Sequence, residues 1–209
     1  MTAAFVSGIL LGLSCGLSPG VLLTLVLTQT LRHGAREGCK VALAPLGSDL
    51  PIVLLAMVFA SKVSAIRPVL GVIAIAGGAY VLYLAWESFR PASVDADAPG
   101  EPPRSWSKGV FANLLNPNPW LFWFTVGAAT LNKTMAESWL AAAVFLVCFY
   151  TLLVGGKIGV ALLAAKSRAL LAGRGYRLVM QTLGVLLAVF ALFFFWDGLK
   201  YLGIISGGS

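Results

Sequence analysis

Six stretches of the chain are almost continuously apolar: about 3–28, 41–61, 68–89, 109–131, 138–165 and 178–199. A helix needs about 20 such residues to cross a hydrocarbon core of roughly 30 Å. The runs do not alternate apolar with polar at a period of two, which argues against a β-barrel. The connections are short, leaving no room for a separate soluble domain. The pattern predicts an all-α integral membrane protein with six transmembrane helices. No Lys or Arg precedes the first run, and it exceeds the 7–15 residue core of a signal peptide, so it is expected to be a retained helix.

Two runs are interrupted near their centres. The first contains LSCGLSPGVLLT at 13–24, with Gly16, Ser18, Pro19 and Gly20 where a simple span has no need of them. The fourth contains NLLNPNPWLFWF at 113–124, where Pro117 and Pro119 each remove a backbone donor and disfavour helical geometry at Asn116 and Asn118. Breaks are therefore expected at 16–20 and 116–119. A single SPG reads most simply as a proline kink. Two interruptions at matching places read as a pair of discontinuous helices, whose freed backbone groups must be buried in protein or line a wet cavity. Such half-helix ends also carry partial charges suited to carboxylates and cations.

The stretch 91–107, PASVDADAPGEPPRSWS, is rich in proline and acid and reads as a flexible linker. It divides one transmembrane domain, 1–209, into a first unit of about 1–90 and a second of about 108–209. Each unit holds three spans, an odd number, so the two enter the membrane from opposite sides. The expected fold is two inverted three-helix repeats with broken first and fourth helices. In such folds the substrate site lies near the bilayer midplane, between the broken helices.

Composition agrees with a membrane environment. Only 11% of the 209 residues are charged, 59% are hydrophobic and the mean hydropathy is +0.90; about a quarter of a soluble domain is charged. The net charge of +7 is mainly a topology signal. Ten of the 15 basic residues lie in the first, third and fifth connections: Arg32, Arg36 and Lys40; Arg90, Arg104 and Lys108; Lys166, Arg168, Arg174 and Arg177. Lys62 and Arg67 lie in the second connection, and the fourth has only Lys133. Basic loops stay in the cytoplasm, so both termini are expected outside it. Nucleic acid is not an expected partner.

Two ionisable residues lie within apolar runs. Asp49 is nine residues after Lys40 and bracketed by Pro45 and Pro51, so its helix is expected to be irregular. Lys157, in LLVGGKIGV, is nine residues before Lys166. At 1.5 Å per residue each lies roughly 13 Å inside the cytoplasmic boundary. An intramembrane charge is a functional hypothesis by default; a structural Asp49 is the alternative. Lys157 has three readings that the sequence leaves open: a pair with Asp49, snorkelling to the headgroups, or contact with a substrate carboxylate.

Other polar and aromatic positions carry less. Glu87 with Arg90 and Asp197 with Lys200 read as interfacial anchors at helical spacing, and Trp86, Trp106, Trp139 and Trp196 suit the aromatic belts. Trp120 and Trp123 follow the second interruption and either wall a cavity or simply pack. His33 sits in a basic loop without a specific role. Cys15, Cys39 and Cys148 have no metal-type spacing, and the ordinary reading is small buried residues. No metal ligand set, cofactor motif, nucleotide loop or nucleophile elbow is present. An enzyme is not expected, and any transport must be passive or gradient-driven.

These residues resemble those of the LysE/RhtB family of amino-acid exporters. The resemblance rests on GLSPG at 16–20, Gln29, Gly34, Gly38, the GSD at 47–49, GGAYVLYLAWESFR at 77–90 and NLLNPNPWLFW at 113–123. Beyond about residue 130 it is one of hydropathy. It implies export of amino acids or related small metabolites across the bacterial cytoplasmic (inner) membrane, coupled to an ion gradient, with the proton the expected coupling ion. It maps the family's motifs onto Ser18, Pro19 and Gly20, onto Asp49, and onto Asn116 and Pro117. Asn118 and Pro119 stand where the family commonly has a Lys, which changes the charge beside the site. The substrate or ion site is thus expected to comprise Ser18, Pro19, Gly20, Asp49, Asn116, Pro117, Asn118, Pro119, Trp120 and Lys157. A metal-ion exporter of the wider superfamily and a thiol-based electron carrier are the alternatives. A monomer and a homodimer both remain open.

Overall fold

A computed structural model describes residues 1–59, 67–89, 103–168 and 174–205, with the side chains of residues 168 and 174 excepted. Lys62, Arg90 and most of the 91–107 linker lie outside them. The described residues are almost all helical, with no strand among them. The first apolar run forms α1 (Thr2–Leu17) and α2 (Val21–His33), bent by 59° at the break between them. The second forms α3 (Ala35–Ala42) and α4 (Ala44–Phe59), and the third α5 (Arg67–Phe89). The fourth comprises α6 (Ser105–Leu114), α7 (Pro117–Phe122), a π-helical turn (Trp123–Gly127) and α8 (Ala128–Glu137). The fifth and sixth form α9 (Trp139–Arg168) and α10 (Arg174–Tyr201).

Four of these helical stretches are long and apolar enough to cross a membrane unbroken: Ala35–Phe59, Arg67–Phe89, Trp139–Ser167 and Gly175–Tyr201. The bent pair α1–α2 makes a fifth candidate. The fourth run is not among these candidates; its helix is interrupted at Leu115 and Asn116. The fold is that of a helical membrane protein. Long side chains such as Leu54, Val58, Val72, Leu163 and Phe193 are exposed on its outer faces, where lipid tails are as apolar as the side chains themselves.

The two breaks are shorter than the sequence suggests. Gly16 still belongs to α1, and only Ser18, Pro19 and Gly20 are non-helical. At the second break only Leu115 and Asn116 leave the helix; Pro117 occupies the first turn of α7. Proline fits there because the first helical N–H has no intrahelical acceptor to lose. Ser105, Trp106 and Ser107, read as the end of the linker, are the first turn of α6. The irregularity expected around Asp49 is not found in α4, which runs as α-helix through Pro45, Asp49 and Pro51; the one turn nearby, at Leu43, precedes it.

Small residues set how closely the helices approach. Ala4, Gly8, Gly12 and Gly16 recur every fourth position on α1 and are all buried. Their stripe lies against α9: a Cβ at Gly12 would stand 2.6 Å from the carbonyl oxygen of Phe149, and one at Gly16 2.7 Å from that of Leu152. In the same way Gly71 and Gly198 bring α5 and α10 together. Close backbone approach of this kind replaces the hydrophobic effect as the force joining helices in lipid. Gly77 of α5 makes room for the second break, since a Cβ there would strike the Leu115 carbonyl.

The anchor positions gain partners. Arg90, read as the neighbour of Glu87, lies outside the described residues; Glu87 pairs with Lys108 of α6 and lies 3.6 Å from Arg32 of α2, whose guanidinium also donates to the Glu87 carbonyl at 2.8 Å. Lys200 lies over the Trp196 ring, 5.3 Å from its centroid, and Asp197 has no cation within 4.0 Å among the described residues. Trp86, Trp106, Trp139 and Trp196 are all exposed.

Candidate functional site

The breaks arise from hydrogen-bond accounting. Pro117 and Pro119 lack the N–H groups that would have met the carbonyls of Asn113 and Leu115 one turn earlier. The Asn113 carbonyl takes another route, accepting from the Asn116 amide at 3.2 Å. The Leu114 carbonyl, whose usual donor one turn on is the Asn118 amide, accepts the Trp120 indole N–H at 2.8 Å. Asn116 then starts the next helix, its side-chain oxygen accepting the Asn118 amide at 3.0 Å as an N-cap. At the first break, Gly20 precedes α2 with no side-chain cap, so the amides of Val21, Leu22 and Leu23 have no partner within their helix. On the other side of that break, Lys157 of α9 donates to the carbonyl oxygens of Cys15 and Gly16, both at 2.9 Å. A cation at a helix C-terminus is favourably placed against the helix dipole.

Between the two breaks lies a cavity of about 200 Å³. Ser18, Pro19, Gly20, Asp49, Asn116, Asn118, Pro119 and Lys157 line it together with Cys15, Pro45, Asn113, Trp123 and apolar side chains. Eight of the residues expected from sequence thus converge on one space. Two do not face it. Pro117 is buried at the start of α7. Trp120 turns away to the Leu114 carbonyl and stacks with Phe124, 6.4 Å between centroids, beside a separate apolar cavity with Leu55, Phe59, Val69 and Leu70.

Asp49 is 4% exposed, and its carboxylate is held from three elements. Asn113 Nδ2 donates to Oδ1 at 2.6 Å and also to Ser48 Oγ at 2.8 Å, so both amide hydrogens are used. Trp123 Nε1 and Tyr150 OH each donate to Oδ2 at 3.4 Å, long and weak contacts. Trp123 opens the π-helical turn, a distortion common at functional sites. Its ring packs among Phe122, Phe149 and Tyr150, with centroids 5.3–6.3 Å away, and these aromatics form one wall of the site.

Lys157 is also 4% exposed, yet no oxygen of Asp49 lies within 4.0 Å of it. A direct ion pair is therefore absent. Snorkelling is absent too, because the ammonium turns inward to the α1 carbonyls.

Asn113, Tyr150 and Phe149 were not singled out by sequence. A signal existed for two of them. Asn113 precedes Asn116 by three positions, one helical turn, and Tyr150 precedes Lys157 by seven, two turns on the same face. Phe149 lies in an apolar run and had none.

A bundle of apolar helices with two broken segments and a buried, charged cavity where they meet defines the class: a membrane translocator. The family model described as LysE type translocator matches residues 13–198, and the chain belongs to that family. The comparisons with curated proteins and with solved structures give no match.

Proposed function

We propose that the protein is a secondary exporter, driven by an ion gradient, that moves amino acids or related small metabolites out of the bacterial cytoplasm through the inner membrane. One observation carries this reading: the cavity where the two broken segments meet holds two buried, opposite charges, Asp49 and Lys157, that do not touch each other. The volume of about 200 Å³ is below the range typical for drug-sized ligands and suits a small metabolite. Ser18, Pro19, Gly20, Asn116, Asn118 and Pro119 are read as the backbone and polar frame around the substrate. Trp120 is read as a support for the second break.

The architecture proposed is six spans in two inverted three-helix units, 1–90 and 108–209. Support comes from the way the helices meet. The first segment packs on the fifth through α1 and α9, the fourth packs on the second through α6 and α4, and the third and sixth pack on each other. A two-fold axis in the membrane plane would exchange these contacts in this manner. The basic first, third and fifth connections put both termini outside the cytoplasm. Reporter fusions at the C-terminus decide this, and a cytoplasmic signal would overturn it.

Asp49 is proposed as the coupling group. Asp49 is a buried carboxyl that lines the cavity, a position from which it can exchange a proton with a gated path during the cycle. Purified protein in proteoliposomes should release labelled amino acids faster when an inward proton gradient is imposed. Efflux indifferent to that gradient would remove the proton from the scheme. A metal cargo has less support: the cavity contributes one carboxylate, and hard cations take several oxygen ligands.

A further inference from the structure

The separation of Asp49 from Lys157 restricts what the cavity can hold. Lys157 has three N–H donors, and the Cys15 and Gly16 carbonyls take two of them. The third is available to the cavity. The three unpartnered amides at the start of α2, those of Val21, Leu22 and Leu23, belong to residues that line the same space. One part of the cavity is therefore built of donors and positive charge. Asp49 supplies the opposite character. Its carboxylate can accept about four hydrogen bonds; Asn113 fills one site well, and Trp123 and Tyr150 approach only at 3.4 Å.

Asp49 and Lys157 are the only charged residues among those lining the cavity, and their charges cancel. The rest of the wall includes Phe122, Phe149 and Leu153. A ligand with one ammonium and one carboxylate would satisfy both ends. A third charge on the ligand would meet the apolar wall and no counter-charge, at the cost of an unpaired charge removed from water.

Resting on the amino-acid reading above, we propose that the cavity selects zwitterions whose side chain is uncharged and apolar, with the ammonium at Asp49 and the carboxylate between Lys157 and the α2 amides. Cationic and acidic amino acids are rejected by the same arrangement that admits leucine-like ones.

Counterflow of labelled leucine into proteoliposomes of the full chain, with unlabelled competitors, tests this. Leucine should compete best. The two leucine analogues that each lack one charge, 3-methylbutylamine and 4-methylpentanoate, should compete roughly tenfold to a hundredfold less well, as expected for loss of one charge-assisted contact. Lysine and glutamate should compete as poorly, because each brings a charge that the apolar wall leaves unpaired. Asp49→Asn should abolish the preference for leucine over 4-methylpentanoate but keep the preference over 3-methylbutylamine, and Lys157→Gln should do the reverse. Measured per folded molecule, so that loss of the Lys157 cap does not enter, a variant that lowers all competitors together and leaves their order of preference unchanged would overturn the assignment. Lysine, glutamate or a single-charge analogue matching leucine on the unaltered protein would overturn the proposal without any variant. If lysine or glutamate exchanges and leucine does not, this inference fails and the amino-acid reading stands; if no amino acid exchanges, both fail.

Discussion

The ammonium of Lys157 lies 2.9 Å from the carbonyl oxygens of both Cys15 and Gly16, so it caps the cut end of α1 from a helix more than half the chain away. The contact joins the fifth apolar segment to the break in the first. Asp49, which lines the same cavity, has no cation within 4.0 Å among the described residues. Capping and cavity lining are thus combined in one side chain.

Lys157→Met would remove a charged donor from two carbonyls, that of Gly16 buried and that of Cys15 partly so. Each carbonyl left without a partner costs about 1–3 kcal/mol. A lower yield of folded protein and a lower melting temperature in detergent are expected. Lys157→Arg, which keeps the charge and the donors, should recover more than half of the loss, and equal loss by both variants would contradict the capping role.

Asp49→Asn is expected to insert and fold near normal yield but to lose gradient-driven efflux. No direct ion pair exists to be broken, so adding Lys157→Met to Asp49→Asn should not restore transport. Restoration by the double change, measured as efflux per folded molecule, would show a structural pair after all.

Asn113→Ala would strip the carboxylate of its shortest hydrogen bond, at 2.6 Å, and leave Ser48 Oγ without the same donor. A destabilisation of about 1–3 kcal/mol is expected for buried polar groups losing a partner. Transport should fall with it, and Asn113→Asp should fare no better, because it sets a second acid against Asp49. Efflux assays normalised to folded protein separate the two effects.

Trp120 and Trp123 should differ. Trp120→Phe removes the donor to the Leu114 carbonyl and should mainly reduce stability, by about 1 kcal/mol for one hydrogen bond. Trp123→Phe, at the site, should mainly reduce transport, since its contact to Asp49 is long at 3.4 Å. Thermal melts and efflux measured on both variants test the assignment; a Trp120→Phe protein with normal stability and no transport would reverse it.

Gly77→Ala should impair folding more than its size suggests, because the added methyl meets the Leu115 carbonyl of the second break. Overpacking of this kind costs about 1–3 kcal/mol. Gly155→Ala is the control on α9, since open space surrounds that position. Equal folded yields for the two variants, by size-exclusion profile, would show that α5 can shift away.

Much of this protein is written in one dimension. The apolar runs determined that the chain is helical and lies in a membrane, because lipid forces the backbone to satisfy its own hydrogen bonds. Pro19, Pro117 and Pro119 determined roughly where two of the helices break, because the ring removes donors locally. The intramembrane positions of Asp49 and Lys157 marked them as unusual by the cost of burying charge. What the sequence left open was every relationship between residues distant along the chain. Whether Lys157 meets Asp49, a headgroup or a backbone carbonyl depends on how α9 packs on α1, and the Gly8, Gly12 and Gly16 stripe sets that approach. Which of two neighbouring tryptophans faces the cavity depends on a helical turn made irregular by a π bulge. Tyr150 and Asn113 reach Asp49 from two other segments. Local pattern reports cost and propensity, whereas a partner is decided only once the helices have packed.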